Sequence, residues 1–439
     1  MKDRIDKDIQ MLIHANNQFG KSRIKVVDSI MGSGKTSAAI NLMNSQYDTN
    51  FIYITPYLDE VKRIKSAVKR KFYSPDYYSN EQVHKTKFDS LHSLLSEEKD
   101  IVSTHALFKR ANRTTRDLIY NGNYTLILDE VMDVVDKLDI KKNDLDTLYA
   151  LDLVYEKDGY LLWNEDKKEW DSRYNDIRDM ALNYNLFVYK DNILIWTFPA
   201  DIFQSFKEVY ILTYQFDAQM QKYYYDLHDI EYDKYIACDG FNYYHFKPKP
   251  DDYSEKEIKD KIKEKINIIR GDGDKINRIG DNPYALSKSW YRKAEDEVLS
   301  QLKRNTGNFF RNIAETKANE NLWTTFKDYK HKVQGKGYTK GFVSLNTRAT
   351  NEFKDRVSCA YLINRYPNTI INNFLTQKGI KLDQDYYALS ECLQWIWRSA
   401  IRDNKNINLY IPSKRMRTLL TQWLNDDAIG YSEDKDKIM

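Results

Sequence analysis

The sequence predicts an α/β fold built around parallel β-sheets, and three features of the chain lead to this prediction. From residue 24 to about residue 214, short apolar runs of strand length alternate with longer amphipathic stretches. Because strands that alternate with helices are joined by crossover connections, this order favours a parallel sheet covered on both faces. The alternation returns from about residue 266 to residue 423, which predicts a second α/β domain. Residues 139–199 have a different sequence pattern, with paired aromatic-rich runs, and we interpret them as an insertion.

The first domain is expected to span residues 1–215 and to contain a parallel sheet. Its strand candidates are residues 24–27, 51–55, 101–104, 125–128 and 208–213. Helical patterns at residues 36–44 and 58–72 lie between the first of these strands. We therefore expect the carboxyl ends of several strands to meet at one edge of the sheet, where open α/β sheets bind ligands.

The insertion is expected at about residues 140–200 and should carry β-hairpins. Two apolar runs, at residues 186–189 and 193–196, are joined by Lys-Asp-Asn, which suits a tight turn. Trp163, Trp170 and Trp196 are expected to form the core of this insertion.

The rest of the chain is divided by composition. We interpret the Tyr-, Lys- and Asp-rich residues 216–265 as a connector and residues 266–425 as the second domain. Residues 426–439 are expected to form a flexible tail.

Composition limits the class of protein. The 439 residues carry a net charge of only +3 with 30% charged residues, so nucleic-acid binding would have to come from local patches. The 34 tyrosines offer flat faces for stacking on bases. Three cysteines without a CxxC pair exclude a disulfide framework and a four-cysteine zinc site. No apolar run approaches 18 residues, so we expect a soluble protein of a reducing, cytoplasmic compartment.

Residues 29–36, with the sequence SIMGSGKT, follow the first predicted strand and open the first predicted helix. This context suits a phosphate-binding loop, in which backbone N–H groups surround the phosphate and a lysine reaches its outer oxygens. Ser29 stands where the strict pattern has glycine. A simple Gly/Ser turn before a helix is the alternative, and the flanking strand and helix disfavour it. The expected nucleotide-binding residues are Gly32, Ser33, Gly34, Lys35 and Thr36.

Two adjacent carboxylates, Asp129 and Glu130, end the predicted strand at residues 125–128, 94 residues after Lys35. At that sheet edge Asp129 can hold Mg²⁺ through water, together with the hydroxyl of Thr36. Glu130 can orient and deprotonate an attacking water. A loop and a carboxylate pair at this separation indicate an enzyme that hydrolyses a nucleoside triphosphate.

A third motif lies at residues 388–402. If the segment is one helix, Gln394, Arg398 and Arg402 share a face at i, i+4 and i+8, while Trp395 and Trp397 enter the core. Guanidinium groups so placed could stabilise charge on a transferring phosphoryl group. The alternative is a solvated basic helix face.

As an ordered set, these motifs resemble those of superfamily 2 helicases and translocases, in which two RecA-like domains hold ATP between them. Residues 29–36 resemble motif I, residues 129–132 resemble motif II, and residues 394–402 resemble motif VI. The resemblance implies Mg²⁺ and ATP as cofactor and nucleotide. It also implies catalytic roles for Lys35, Glu130, Gln394, Arg398 and Arg402, with Thr36 and Asp129 on the metal.

Other segments resemble the nucleic-acid contacts of this family. They are residues 51–57, 102–106 and 341–351, similar to motif Ia, the Thr-His-rich segment before motif II, and motif V. The implied contact residues are Thr55, Pro56, Tyr57, Thr104, His105, Asn346 and Arg348. Thr213 sits where motif III couples hydrolysis to movement along the strand. The implied partner is single-stranded or forked DNA, with RNA as an alternative.

Two departures from the family pattern leave points open. Arg402 lies eight residues after Gln394 rather than seven, so either Arg398 or Arg402 could be the transition-state arginine. No glutamine motif of the kind that recognises adenine precedes residue 29. The base of the bound nucleotide is therefore left open.

Local basic patches add to the nucleic-acid interpretation. Each patch alone is also compatible with a solvated face. Their members are Lys62, Arg63, Lys65, Lys69, Arg70, Lys71, Lys109, Arg110, Arg113, Arg116, Lys327, Lys330, Lys332, Lys336, Lys340, Lys414, Arg415 and Arg417.

Together, the motifs predict an ATP-dependent DNA helicase or translocase similar to the small replication helicases of phages and mobile elements. Such a protein would work in a bacterial host cytoplasm, away from membranes, and could have replication-protein partners. One alternative is an ATPase, stimulated by nucleic acid, that remodels protein–DNA complexes without unwinding. A more distant alternative is a nucleotide phosphotransferase, which would not require the second α/β domain.

Overall fold

The computed structural model describes residues 23–80, 83–190, 192–240, 243–269, 274–345 and 352–431. The chain divides into two compact units. Unit 1 comprises Met1–Lys249 and Ile370–Lys381, and unit 2 comprises Pro250–Thr369 and Leu382–Met439.

The strands in chain order are β1 (Arg23–Asp28), β2 (Asn50–Thr55), β3 (Tyr78–Asn80), β4 (Val83–Lys85), β5 (Ile101–Thr104), β6 (Tyr124–Asp129), β7 (Val135–Leu138), β8 (Val154–Lys157), β9 (Tyr160–Trp163), β10 (Leu186–Tyr189), β11 (Ile193–Thr197), β12 (Glu208–Thr213), β13 (Asp233–Asp239), β14 (Tyr244–Pro248), β15 (Ile266–Ile268), β16 (Asn321–Thr324), β17 (Ser358–Tyr361) and β18 (Ile407–Tyr410).

The α-helices in chain order are α1 (Lys35–Ser45), α2 (Leu58–Ala67), α3 (Lys87–Ser96), α4 (His105–Phe108), α5 (Arg113–Asn121), α6 (Lys142–Ala150), α7 (Asn175–Leu182), α8 (Ala200–Gln204), α9 (Met220–Leu227), α10 (Lys256–Lys263), α11 (Asp274–Asn277), α12 (Lys288–Lys293), α13 (Asp296–Asn308), α14 (Lys330–Val333), α15 (Thr369–Gln377), α16 (Gln384–Ile396) and α17 (Lys414–Leu424). A π-helical turn, Phe309–Ile313, continues α13.

Within the described residues, the main sheet of unit 1 has seven strands in the order β14-β13-β1-β12-β6-β2-β5. All neighbours pair in parallel except β13 and β14. The five strands predicted from the sequence are confirmed, and β5 and β12 have the predicted bounds. Because the strands from β13 to β5 are parallel, their carboxyl ends meet at one edge, as the α/β prediction requires.

The predicted connector at residues 216–265 is wrong. Its residues form helix α9, strands β13 and β14, and helix α10. Strand β13 pairs with β1, and Tyr235, Ala237 and Phe246 pack on the apolar core under α1. The hairpin looks polar in the sequence because it forms the margin of the sheet and its other residues are largely exposed.

Helix α2 ends at Ala67, five residues before the predicted end at residue 72. Val68 is extended, and the chain then turns back toward the sheet. Arg70 fixes this turn, since its guanidinium pairs with Asp100 at 2.7 Å and donates to the backbone carbonyls of Gln46 and Thr49. Arg70 is therefore a structural residue rather than part of a basic surface.

The insertion forms a separate antiparallel sheet whose order, among the described residues, is β7-β11-β10-β9-β8. The predicted hairpin is present as β10 and β11. Trp163 and Trp196 are buried as expected, whereas Trp170 is 48% exposed, so its predicted place in the core is wrong.

Helix α15 packs on this insertion although it is distant in the chain. The ring of Phe374 lies 5.4 Å from that of Phe187 and 6.0 Å from that of Tyr189. Lys378, just after the helix, has its ammonium 5.2 Å from the Phe187 ring centroid. The insertion therefore holds the 370–381 segment within unit 1 through aromatic packing and cation–π contact.

Unit 2 contains a parallel sheet with the order β15-β18-β17-β16 in the part of the chain that the structure describes. Helix α10, before the predicted start at residue 266, belongs to it, because Lys259 pairs with Asp426 at 2.5 Å. The prediction of a flexible tail from residue 426 is wrong for its first residues, because the amide of Tyr431 donates to Asp385 at 2.8 Å. Residues 432–439 lie outside the described residues.

Arg415 is the polar centre of unit 2 and is only 3% exposed. Its guanidinium pairs with Asp385 at 2.7 Å and donates to Asn364 and to the carbonyls of Arg365 and Gln384. It also lies 4.3 Å from the Tyr366 ring centroid. These contacts join the end of β17 to the start of α16, so the assignment of Arg415 to a basic surface patch is wrong.

We expect Arg415→Ala to lower the free energy of unfolding of unit 2 by about 3–5 kcal/mol, because it leaves a partly buried carboxylate and several carbonyls without their donor. Denaturant unfolding measures the loss. The matched control is Arg304→Ala, which removes an exposed pair with Glu297 at 2.7 Å and should cost about 1 kcal/mol or less. Equal losses in the two variants would contradict the role given to Arg415.

Candidate nucleotide-binding site

The candidate site lies at the carboxyl edge of the main sheet of unit 1, where hydrogen bonding continues past the strand ends. Strand β12 lies between β1 and β6, with Asp28 opposite Thr213 and Asp129 opposite Leu212. The amide of Ser29 donates to the carbonyl of Thr213 at 3.1 Å, and the amide of Glu130 donates to that of Leu212 at 2.9 Å. The two predicted motifs and Thr213 are thus brought to one edge in fixed register.

The loop at residues 29–36 has the backbone geometry that a phosphate-binding loop requires. Gly32 and Gly34 have φ values of 83° and 84°, in the region that favours glycine. Gly34 is the N-cap of α1 and provides no side-chain cap, so the first N–H groups of the helix remain available to an anion. A Cβ at Gly32 would meet open space, so the strained φ rather than crowding requires glycine there.

Two side chains of the loop also suit a phosphate. The ammonium of Lys35 folds back over the loop and donates to the carbonyls of Ser29 and, at 3.1 Å, Ile30. The hydroxyl oxygen of Ser33 is buried and has no hydrogen-bond partner among the described residues. Thr36 lies in the first turn of α1 and is partly buried. These residues fit a nucleotide phosphate chain with a metal ion on the Thr36 hydroxyl.

Asp129 is held by a residue that the sequence analysis missed. The hydroxyl of Tyr53 on β2 donates to Asp129 Oδ2 at 2.8 Å. Tyr53 lies opposite Ile127, so Asp129 is two residues farther along the same face of the sheet. Burial raises the pKa of Tyr53 well above its ordinary value, which keeps the hydroxyl a donor. The pairing of strands, rather than any motif, places Tyr53 there.

The negative charge of Asp129 is destabilised by burial. Desolvation, with the neighbouring charge of Glu130, raises the pKa of Asp129 to about 7, and the hydrogen bond from Tyr53 opposes the shift. Glu130 has φ of 63°, a conformation that is unfavourable for a residue with a side chain. A carboxylate with a raised pKa beside a strained one is the arrangement expected at a site completed by a cation.

Two further contacts fix the segment after β6. The amide of Met132 donates to Gln221 on α9 at 3.1 Å, and Gln221 in turn donates to the hydroxyl of Tyr225. His105 Nε2 lies 3.0 Å from the carbonyl of Asp129, and because a carbonyl only accepts, this nitrogen carries the proton. His105 therefore touches the motif of the two carboxylates directly. Gln221 lies in the predicted connector, and its sequence context gave no signal.

The other residues assigned to nucleic acid occupy different environments. Thr55 is fully buried, and its hydroxyl oxygen has no partner in the described part of the chain, as is also true of Thr213. Pro56 and Tyr57 are partly exposed, and Thr104 caps α4. Asn346 and Arg348 lie outside the described residues.

The predicted helical ridge in unit 2 is wrong, because α16 ends at Ile396. Ser399 is extended, and the amide of Ala400 donates to the carbonyl of Arg356, so the chain leaves the helix axis before Arg402. Gln394 remains on the helix and is partly exposed, and Trp395 and Trp397 are buried as expected.

The two arginines of this motif have different environments. Arg398 is 5% exposed and donates to the carbonyls of Ser344 and Leu345 at 3.0 and 2.9 Å. Arg402 is exposed on the 3₁₀ turn Ala400–Asp403. Arg398 therefore shapes the backbone before residue 346, and Arg402 presents its guanidinium to the surface of unit 2.

Among the described residues, no group of three or more His, Cys, Asp or Glu side chains could hold a metal ion alone. Such a cluster is not required for Mg²⁺, which commonly combines one or two protein oxygens with water and substrate phosphates. In the described ranges no helix is both long and apolar enough to cross a membrane.

Because the pKa of Asp129 is raised, the folded protein binds more protons at this site than the unfolded chain between about pH 4 and pH 7, and its stability falls as the pH rises through that window. We expect Asp129→Asn to remove this fall. In metal-free buffer the variant should match the wild type near pH 4 and be more stable by on the order of 4 kcal/mol at pH 8. Asp59→Asn, at an exposed carboxylate, is the control. Parallel stability profiles for wild type and Asp129→Asn would contradict the shift.

Comparison with known proteins places the chain in a family. Residues 135–196 match the model of the YonV middle domain, and residues 260–424 match that of the YonV C-terminal Rossmann-like domain. The first match covers the insertion sheet, and the second covers most of unit 2, whose parallel sheet agrees with the description.

Solved structures with similar chains include one titled XPD apo, at 12% identity and a TM-score of 0.49, covering 95% of this chain and 97% of that one. Another is Xpd4 of S. tokodaii, at 12% identity and a TM-score of 0.45, covering 98% of both chains. With these scores below 0.5, the α/β assignment depends on the sheet topology and the family model.

A curated relative is similar along nearly its whole length. It is the SPbeta prophage-derived uncharacterized protein YonV of Bacillus subtilis (strain 168), 48% identical over 411 residues, which are 92% of this chain and 99% of that protein. At this identity and coverage, the chain belongs to the YonV family.

Proposed function

We propose that this protein is an ATP-dependent DNA helicase or translocase that hydrolyses Mg-ATP at the carboxyl edge of the main sheet of unit 1. One observation carries the proposal: the β1–β12–β6 ladder holds the phosphate loop and the Asp129–Glu130 pair at the same edge. A structural module with no nucleotide would have no need for two glycines at positive φ, a lysine folded over them and a carboxylate with a raised pKa.

Each residue of the edge has a role in this proposal. The loop amides and Lys35 bind the phosphate chain, and Lys35 exchanges its carbonyl partners for phosphate oxygens. Thr36, and Asp129 through water, would hold Mg²⁺, which would neutralise charge on the phosphates. Glu130 orients the attacking water and accepts its proton. Tyr53 and Gln221 keep the carboxylates and the following backbone in place, so they are positioning residues.

His105 supports a link between nucleic acid and hydrolysis. It begins helix α4 directly after β5, in the segment that resembles a nucleic-acid contact, and its ring meets the Asp129 carbonyl. If α4 moves when a DNA backbone binds, the hydrogen bond from His105 would transmit this movement to Asp129, the proposed metal ligand. Partly exposed Pro56 and Tyr57, with exposed Lys62 and Lys65 on α2, offer further contacts to a strand.

The relative's name describes that protein as prophage-derived. We propose that this chain serves replication of a phage or mobile element in a bacterial cytoplasm.

The test is steady-state ATP hydrolysis by the full chain with and without single-stranded DNA, repeated with single-stranded RNA. We expect stimulation by DNA and a loss of at least a hundredfold in Lys35→Ala and Glu130→Gln, since each removes a group that acts on the reacting phosphate or water. A nucleotide-binding measurement separates the two variants, because Glu130→Gln should still bind ATP.

Other results would redirect the proposal. Stimulated hydrolysis without strand separation or movement would favour the remodelling ATPase. Hydrolysis that neither DNA nor RNA stimulates would contradict the helicase assignment. Absence of hydrolysis would contradict the proposal that the protein is an enzyme.

We assign the transition-state arginine to Arg402, because Arg398 is occupied by backbone carbonyls in unit 2. Arg402→Ala should lower kcat by about a thousandfold while nucleotide affinity and the unfolding temperature stay near wild type. Arg398→Ala should instead lower the unfolding temperature. DNA-stimulated hydrolysis that survives loss of both arginines would contradict the assignment.

A further inference from the structure

The β13–β14 hairpin contacts both ends of the phosphate loop. Its first strand runs parallel to β1, with Tyr235 opposite Val27, and continues past the point where β1 ends. Its second strand returns antiparallel and lies against the start of α1. We propose that this hairpin is a clamp that holds the loop in its nucleotide-binding conformation, with Ser29 and Tyr244 as positioning residues. The inference rests on the proposed nucleotide binding and deepens it.

Ser29 forms the first contact of the clamp. Its hydroxyl oxygen accepts a hydrogen bond from the amide of Ala237 at 2.9 Å, and the residue is fully buried. The side chain thus extends the pairing of β13 beyond the last backbone pair with β1. The amide of Ser29 is already bonded to Thr213 on the other side. The residue that departs from the strict glycine pattern therefore ties the loop to both neighbouring strands.

Tyr244 forms the second contact. A Cβ on Gly34 would meet three ring atoms of Tyr244 at 2.2, 2.3 and 2.9 Å, so the ring covers the α-carbon of Gly34. The backbone of Tyr244 is fixed in turn, because Asn41 Nδ2 on α1 donates to its carbonyl at 3.0 Å. Gly34 is consequently required twice, by its positive φ and by the ring against it. The start of α1 therefore lies between the hairpin and the apolar core of unit 1.

The physical consequence is preorganisation. A glycine-bearing loop has many conformations when free, and ordering it on ligand binding would reduce affinity. Contacts at Ser29 and Gly34 restrain the loop before the nucleotide arrives. Neither Ser29 Oγ nor the Tyr244 ring is assigned to the reacting atoms, so loss of the clamp should act on nucleotide affinity and KM rather than on kcat.

The test measures binding of a fluorescent ATP analogue to the full chain without nucleic acid. We expect Tyr244→Ala to weaken binding about tenfold, while Tyr244→Phe, which keeps the ring, stays within about twofold of wild type. Tyr243→Ala is the matched control, since this neighbouring tyrosine is 49% exposed. KM for ATP should follow the dissociation constant, with kcat changed less than threefold.

Ser29→Gly is the sharper variant, because it restores the strict phosphate-loop pattern. If Ser29 were only a tolerated departure, the variant would bind the nucleotide as well as or better than the wild type. The clamp predicts weaker binding by about fivefold, because the amide of Ala237 loses its acceptor. Thermal unfolding of each variant identifies any loss of the fold, and Asn41→Ala tests the same contact from the helix side.

The outcomes separate the two proposals. Absence of nucleotide binding by the wild type would overturn the proposed function and the clamp with it. Binding by the wild type that is lost in Lys35→Ala, but unchanged in Tyr244→Ala, Ser29→Gly and Asn41→Ala, would overturn the clamp alone. A raised KM with nearly constant kcat in the clamp variants supports it.

Discussion

The parallel ladder of β1, β12 and β6 is the constraint on which the rest of unit 1 depends. In a parallel sheet, residues at the ends of neighbouring strands are fixed in relative height by the register. Here the ladder extends one residue beyond the strands, through the amides of Ser29 and Glu130 to the carbonyls of Thr213 and Leu212. Residues 29–36 and the Asp129–Glu130 pair, which are far apart in the chain, thereby share one edge.

Several energetically unfavourable features of unit 1 lie at the same edge. Asp129 has a raised pKa, Glu130 adopts a positive φ, and the hydroxyls of Ser33, Thr55 and Thr213 find no partner among the described residues. Such features persist only where surrounding structure stabilises them. The hydrogen bonds of Tyr53 and Gln221 and the buried strands supply that support. Polar groups left unsatisfied together at one edge are an argument for a ligand at that edge.

The sequence predicts those parts of the fold that repeat a local pattern. Strands β5 and β12 have the predicted bounds, because each is a short, mostly apolar run, although β5 lies at the end of the sheet order and β12 lies inside it. The β13–β14 hairpin was missed, since most of its residues are exposed or only partly buried and its polar sequence resembles a connector. The end of α16 was missed because contact between Ala400 and Arg356, distant in sequence, stops the helix. Tyr53 and Gln221 depend on strand and helix pairing, which spacing along the chain does not encode.

The insertion anchors a segment of unit 1 that lies far from it in the chain. The chain passes from one unit to the other three times, after Lys249, Thr369 and Lys381. The twelve residues between the last two crossings are anchored on the insertion by Phe374 and Lys378 against Phe187. Removing the insertion would therefore expose an apolar helix and free a segment that joins two stretches of unit 2.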